Sequence, residues 1–261
     1  MTHPQILVGS DPEIFVKKDG QFVCAHNLIP GTKDTPHKVE KGAVQVDGFA
    51  LEFNIDPAAS VAEFILNHEV VMAKLRSMVP GYELAPVPVA DFTPAYMAAQ
   101  PAEARILGCD PDFDAYTGLA NIKPQADLPM RTASGHVHIG WGNNMEGHND
   151  QARAVAVQMD FFLGLPSMFY DNDTRRRSMY GKAGCYRLKP YGVEYRTLSN
   201  AWLLSQERMA WVFSQVQEGM KQLMNGNDLL SKYGNISEII NTSDKKEAKR
   251  IIDDAGIAMA Q

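Results

Sequence analysis

The chain has 261 residues, with 25 lysines and arginines against 31 aspartates and glutamates, so its formal net charge is −6. Hydrophobic residues make up 45% and charged residues 21%, which supports a folded core and excludes wholesale disorder. The mild acidity argues against a nucleic-acid-binding protein, which needs a basic face to neutralise phosphates.

The three cysteines, Cys24, Cys109 and Cys185, are too scattered for a disulfide framework or a CxxC metal site, and point to a reducing, cytoplasmic setting. Met1-Thr2-His3-Pro4-Gln5 lacks the basic region and apolar run of a secretory signal. The most apolar stretch, Phe161 to Tyr170, is too short to cross a bilayer, so no membrane partner is expected.

The first half reads as short strands. Ile6-Leu7-Val8 leads into Asp11 to Val16, Lys18-Asp19-Gly20 offers a turn, and Phe22-Val23-Cys24 returns as a hairpin partner. A second pair runs from Ala43 to Asp47, turns at Gly48, and continues from Phe49 to Ile55. Ser60 and Glu63 have capping-box spacing, and Val61, Phe64, Ile65, Val71, Met72, Leu75 and Met78 recur at the helical period before Pro80-Gly81.

Residues 82–90 read as an edge strand cut by Pro86 and Pro88, and residues 100–132 as a long loop. A strand follows at Gly135 to Trp141, then a helix over 150–165 and a polar loop over 171–185. A hairpin then pairs Tyr186 to Lys189 with Val193 to Leu198, and a long helix spans 201–224. Short helices close the chain. Strands in hairpins with helices between them give an α+β class around a mainly antiparallel sheet. Residues 1–225 read as one domain, and 226–261 as a helical tail.

Four strand segments place chemically capable side chains at i and i+2: Asp11-Pro12-Glu13, Glu52-Phe53-Asn54, His136-Val137-His138 and Glu194-Tyr195-Arg196. Residues two apart on a strand share a face. Any one segment alone is what a half-exposed strand shows. Together, if the strands are neighbours, they gather Asp11, Glu13, Glu52, Glu194, His136 and His138 on one face, with Asp47 from the preceding strand. So many carboxylates repel one another unless cations neutralise them, and oxygen ligands with one or two imidazoles suit Mg²⁺ or Mn²⁺.

A basic group, Arg175, Arg176, Arg177, Lys182, Arg187, Lys189 and Arg196, falls within 22 residues of this acidic chain. Guanidinium groups fit phosphate oxygens in pairs, and Mg²⁺ beside them is the usual companion of a nucleoside triphosphate. Arg176 and Arg177, taken singly, read as solvated loop residues. Arg187 and Arg196 lie in strands and point to the site. No GxSxG, HExxH or P-loop motif is present.

Gly9-Ser10-Asp11-Pro12-Glu13, Asp47 to Asn54, Gly135 to Gly140 and Tyr191 to Asn200, in that order, resemble the phage carboxylate–amine ligases of type 2, relatives of glutamine synthetase and glutamate–cysteine ligase. The resemblance covers most of residues 5–215. It implies a glutamine synthetase-like catalytic domain, with an antiparallel sheet curved into a half-barrel, helices outside it, and metal and ATP in its concave face. It also implies Glu13, Glu52 and Glu194 as metal carboxylates and His136 as the imidazole ligand, with Asp11 and Asp47 where larger relatives often carry glutamate. Arg196 would contact the substrate carboxylate or the transferred phosphate, and Arg187 the ATP phosphates. Arg175, Lys182 and Lys189 complete the expected nucleotide contacts, His138 is a further candidate catalytic residue, and an acid or histidine at the rim would take the amine's proton.

The activity implied is ATP- and Mg²⁺-dependent joining of a small-molecule or peptide carboxylate to an amine. It would take place in the cytoplasm, that of the host if the chain is phage-encoded. A metal-dependent hydrolase or phosphatase using the same side chains, and a non-catalytic virion-associated protein of this fold, remain the alternatives.

Overall fold

The computed structural model describes residues 4–106, 112–122, 128–142 and 149–260. Cys109, the first three residues, and residues 107–111 and 123–127 of the expected long loop lie outside the described residues. The chain order is β1 (Leu7–Ser10), β2 (Glu13–Lys18), β3 (Gln21–Val23), β4 (His37–Val39), β5 (Gly42–Asp47), β6 (Ala50–Ile55), α1 (Val61–Met78), β7 (Glu83–Ala85) and β8 (Val89–Asp91). Then come α2 (Pro94–Ala98), α3 (Ala102–Arg105), β9 (Phe113–Asp114), β10 (Met130–Thr132), β11 (Val137–Gly140) and α4 (Asn149–Met159). A π-helical turn (Asp160–Gly164) joins α4 to α5 (Leu165–Tyr170), followed by α6 (Thr174–Met179), β12 (Cys185–Lys189) and β13 (Gly192–Tyr195). A 3₁₀ turn (Asn200–Leu204) leads to α7 (Gln206–Met224), α8 (Leu229–Tyr233), α9 (Ser237–Thr242) and α10 (Lys245–Ala255).

Local chemistry explains most boundaries. Asp19 and Gly20 both have positive φ, 51° and 77°, which closes the β2–β3 hairpin with the twist its strands need. Ser60 caps α1 by accepting from the Glu63 amide, while the Glu63 carboxylate accepts from the Ala59 amide. The stretch 201–224 splits into the 3₁₀ turn and α7 because the Ser205 hydroxyl caps the Arg208 amide and fixes a new start. The expected helix at 150–165 runs on as far as Tyr170 through the π turn.

Two expectations are corrected. The single edge strand at 82–90 is two short strands, β7 on β2 and β8 on β10, because Pro86 and Pro88 interrupt the ladder between them. The polar loop at 171–185 contains α6, whose N-terminus is capped by Asp173.

The fold is α+β with antiparallel sheets, in the orders β1-β11-β13-β12-β9 and β3-β2-β6-β5-β4, with β8 and β10 as a separate pair. Backbone bonds join the larger two through the segment that runs from β1 into β2. On one side the Glu13 amide donates to Ser134 O and Asp11 to His136 O; on the other Phe53 donates to Pro12 O and Val8 to Ala58 O. No sheet is strongly curled. The ladder ends on the short strands β4 and β9 without closing, and the half-barrel implied by the resemblance is not shown.

α1, α4 and α7 pack together over one face of this assembly. Phe64, Val71 and Leu75 of α1, with Val212, Phe213 and Val216 of α7, enter the main core beside Trp202. Each such side chain is worth about 1.5–3 kcal/mol of burial. Ile240, Ile251 and Ile252 tie the last helices into the same core. Among the described residues no helix is long and apolar enough to cross a membrane.

Candidate active site

The opposite face of the sheets carries a cavity of about 530 Å³, a volume suited to a nucleotide-sized ligand. Strand alternation puts Asp11 and Glu13, Glu52 and Asn54, and His136 and His138 on it, together with Asp47, Arg187, Lys189 and Arg196. Glu194 lies at its floor, fully buried. The intervening residues, among them Ile14, Leu51, Phe53, Val137 and Tyr195, point into the main core. So the i and i+2 pairs do converge. The reason is register: Glu13 faces Glu52, His138 faces Glu194, and Arg187 faces Glu194 from the other side.

The site has two poles. At the first, the Glu194 carboxylate is met by Arg196, by Lys189 Nζ at 2.7 Å and by Arg187 at 3.4 Å. Burial and the Asp11 charge push its pKa up, but Arg196, His136 and His138 outweigh them and hold it at about 2. Arg196 also donates to Asp112 at 3.1 Å and contacts His136 Nδ1 at 3.2 Å. His136 is driven down to about 4 by burial and by the Arg196 charge.

His138 Nε2 lies 2.9 Å from Asp11 Oδ1, and its Nδ1 bonds the Tyr191 hydroxyl. Burial lowers its pKa, yet Asp11 and Glu194 raise it overall. Burial likewise opposes ionisation of Asp11, but the two histidines hold it well below the usual carboxylate range.

The second pole is acidic. Burial first, and then Asp47, raises Glu13 to about 7, even though its Oε2 accepts from the Ser134 amide at 2.8 Å. Glu52 stands well above its ordinary value through burial and the charges of Asp11, Asp47 and Glu13, while Gln45 donates to it at 2.8 Å. Burial also raises Asp47.

This donor set fits a divalent cation. Asp11, His138 and Glu194 each offer a ligand atom within 4.8 Å of the others. Asp11 Oδ1 and His138 Nε2 are buried close together, yet neither has a well-aligned hydrogen bond. His138 therefore joins this compact group, where the resemblance singled out His136.

Other basic residues behave differently. Arg175 is exposed and pairs with Asp91 and Asp173 at 2.8 Å, away from the cavity. Lys182 does not line the cavity either, and its carbonyl accepts from Thr197. Arg176 and Arg177, expected in solvent, are 2% and 5% exposed. Arg176 donates to the carbonyls of Arg196 and Thr197 and braces the segment carrying Arg196, while Arg177 bonds Ser243.

Sequence reasoning missed Lys33, Gln45 and Tyr191, which line the cavity, and Asp112, which holds Arg196. Tyr191 was within reach, because it sits in the turn between two strands already assigned to the site.

No curated protein matches the chain. The family model that does match leaves out Asp11, Glu13, Asp47 and Glu52 but includes both histidines, Arg187, Glu194 and Arg196, a narrower span on the N-terminal side than the motifs alone suggest. Residues 122–239 match the phage phiEco32-like COOH.NH2 ligase-type 2 model, and this stretch supplies His136, His138, Arg187, Lys189, Glu194 and Arg196 of the first pole of the cavity.

Proposed function

We propose that the protein is an ATP-dependent ligase that joins a carboxylate to an amine, with residues 1–225 as the catalytic domain and 226–261 as its helical tail. The observation that carries this reading is one cavity lined by Asp11, Glu13, Glu52, His136, His138, Arg187, Lys189 and Arg196 over buried Glu194. An acidic pole beside a basic one is what a metal–triphosphate complex requires.

A carboxylate is a poor electrophile. Its oxygen attacks the γ-phosphorus of ATP, ADP leaves, and an acyl phosphate forms. The amine nitrogen then attacks the acyl carbon, phosphate leaves, and the nitrogen releases a proton as the amide forms. Asp11, His138 and Glu194, with Glu13, Glu52 and His136 around them, are the residues that would hold Mg²⁺ or Mn²⁺, which when bound would offset phosphoryl charge. Arg187 and Lys189 exchange Glu194 for phosphate oxygens. Arg196, fixed by Asp112 and braced from behind by Arg176, holds the reacting carboxylate or phosphoryl group. An acid or histidine at the rim accepts the proton.

Hydroxylamine traps an acyl phosphate as a hydroxamate. Incubation with ATP, Mg²⁺ and a panel of carboxylates should give ADP and hydroxamate with the right acid, and Glu52→Ala should abolish both in a folded protein. Full activity in that variant, or metal-dependent ester or phosphoester cleavage without ATP, sinks the assignment.

A further inference from the structure

The main cavity does not end at the acidic pole. A second cavity of about 50 Å³ adjoins it, and Glu13 and Asp47 line both. Along the first strand segment, Leu7, Gly9, Asp11 and Glu13 face the large cavity, and Glu13 and Phe15 the small one. Along the segment leading into β11, Gly140, His138 and His136 face the large cavity, and Ser134 and Thr132 the small one. These are alternate residues of one sheet face, so the two cavities are successive stretches of a single trough. With the triphosphate and the carboxylate placed in the large stretch, the small one is a further approach to the acids.

The small stretch has a definite chemistry. Asp47 stands at the junction with no hydrogen bond to its carboxylate from a described residue, although the Lys33 and Arg196 charges across the large cavity act on it. Phe15 and Phe49 form aromatic walls, and aromatic faces attract cations. Arg131 also borders the space, but its guanidinium lies 5.0 Å from the Phe49 ring and donates to the carbonyls of Leu128, Met130 and Arg105. With one water-sized group occupying about 10–15 Å³ of such volume, the space takes about four non-hydrogen atoms.

We infer that this second cavity receives the ammonium head of the amine co-substrate, a primary alkyl amine, with Asp47 as its counter-charge. The inference rests on the ligase reading and moves Asp47 from the metal to the amine. Bulky amines are excluded by the volume.

Ligand-observed NMR on the whole chain with Mg²⁺ and a non-hydrolysable ATP analogue tests it, using ethylammonium, its neutral isostere ethanol, and acetate as probes. Ethylammonium alone should bind. Asp47→Asn, which removes the charge, and Thr132→Leu, which fills the space, should each weaken it about tenfold or more while the nucleotide still binds. Where Thr132→Leu does not fold, Asp47→Asn decides. Undiminished ethylammonium binding in the folded variants, no binding to the wild type, or preference for acetate overturns the inference while leaving the ligase reading intact. Failure of the Mg²⁺–nucleotide to bind the wild type overturns the ligase reading itself.

Discussion

Glu13 and Glu52 stand directly opposite each other across the antiparallel pair formed by β2 and β6, with both carboxyl groups held above their ordinary pKa. Two acids in register on neighbouring strands repel each other, and the protein keeps them together where a neutral pair would avoid that repulsion. In metal-free protein at pH 8, Glu52→Gln should therefore raise stability by about 1 kcal/mol, since the amide removes the repulsion. Adding Mg²⁺ or Mn²⁺ should raise the wild-type Tm and leave that of the variant nearly unmoved. Equal shifts in a thermal scan would count against the cation site.

Asp160 gives a pH prediction outside the cavity. Its carboxylate accepts from Tyr195 at 2.6 Å, Tyr116 at 2.9 Å and Thr197 at 3.3 Å, yet burial dominates and lifts its pKa to about 7. The folded state thus retains a proton between about pH 4 and 7 that the unfolded chain has lost. Its contribution is fully present below the unfolded pKa and fades as the pH rises through this window, by at most about 4 kcal/mol. Asp160→Asn should flatten that part of the stability–pH profile, measured by urea unfolding at several pH values. An unchanged slope would show that another group is responsible.

Gly135 precedes His136, and an added Cβ would lie 2.3 Å from Ser199 O and 2.4 Å from Trp202 Nε1. Trp202 Nε1 donates to Gly135 O, so the chain is pinned where it would have to move. Gly135→Ala should cost about 2–3 kcal/mol in chemical denaturation. A loss below about 0.5 kcal/mol would mean that the segment yields easily.

Arg196 reaches Glu194, Asp112 and His136 with one planar group, which a lysine ammonium cannot reproduce. Arg196→Lys should lower hydroxamate formation about 100-fold with little change in Tm. Near-normal turnover would remove Arg196 from the reacting centre.

Much of the site was legible because strand alternation is a local rule. Asp11 with Glu13, and Glu194 with Arg196, had to share a face wherever those strands were placed. What sequence could not supply was the juxtaposition of strands distant along the chain, and with it the identity of the compact His138 group. Arg175 and Arg176 show another limit. A run of arginines reads as solvated charge, but the Asp173 cap turns the segment into a helix, which sends Arg175 out to Asp91 and Arg176 inward. The 3₁₀ break before α7 is hidden in the sequence for a similar reason, since the Ser205 that caps α7 also suits an ordinary polar position on a helix face.

The segment from β1 into β2 joins the two larger sheets and precedes both of its partners in the chain. One of its partners, β6, follows soon after, but β11 pairs Gly140 with Leu7, across half the molecule's length. Closing so long a loop is slow, because the entropy is lost before the contacts form. A nascent chain therefore holds one edge of its central segment unpaired until β11 has left the ribosome, and assembly of the catalytic face is a late event in folding.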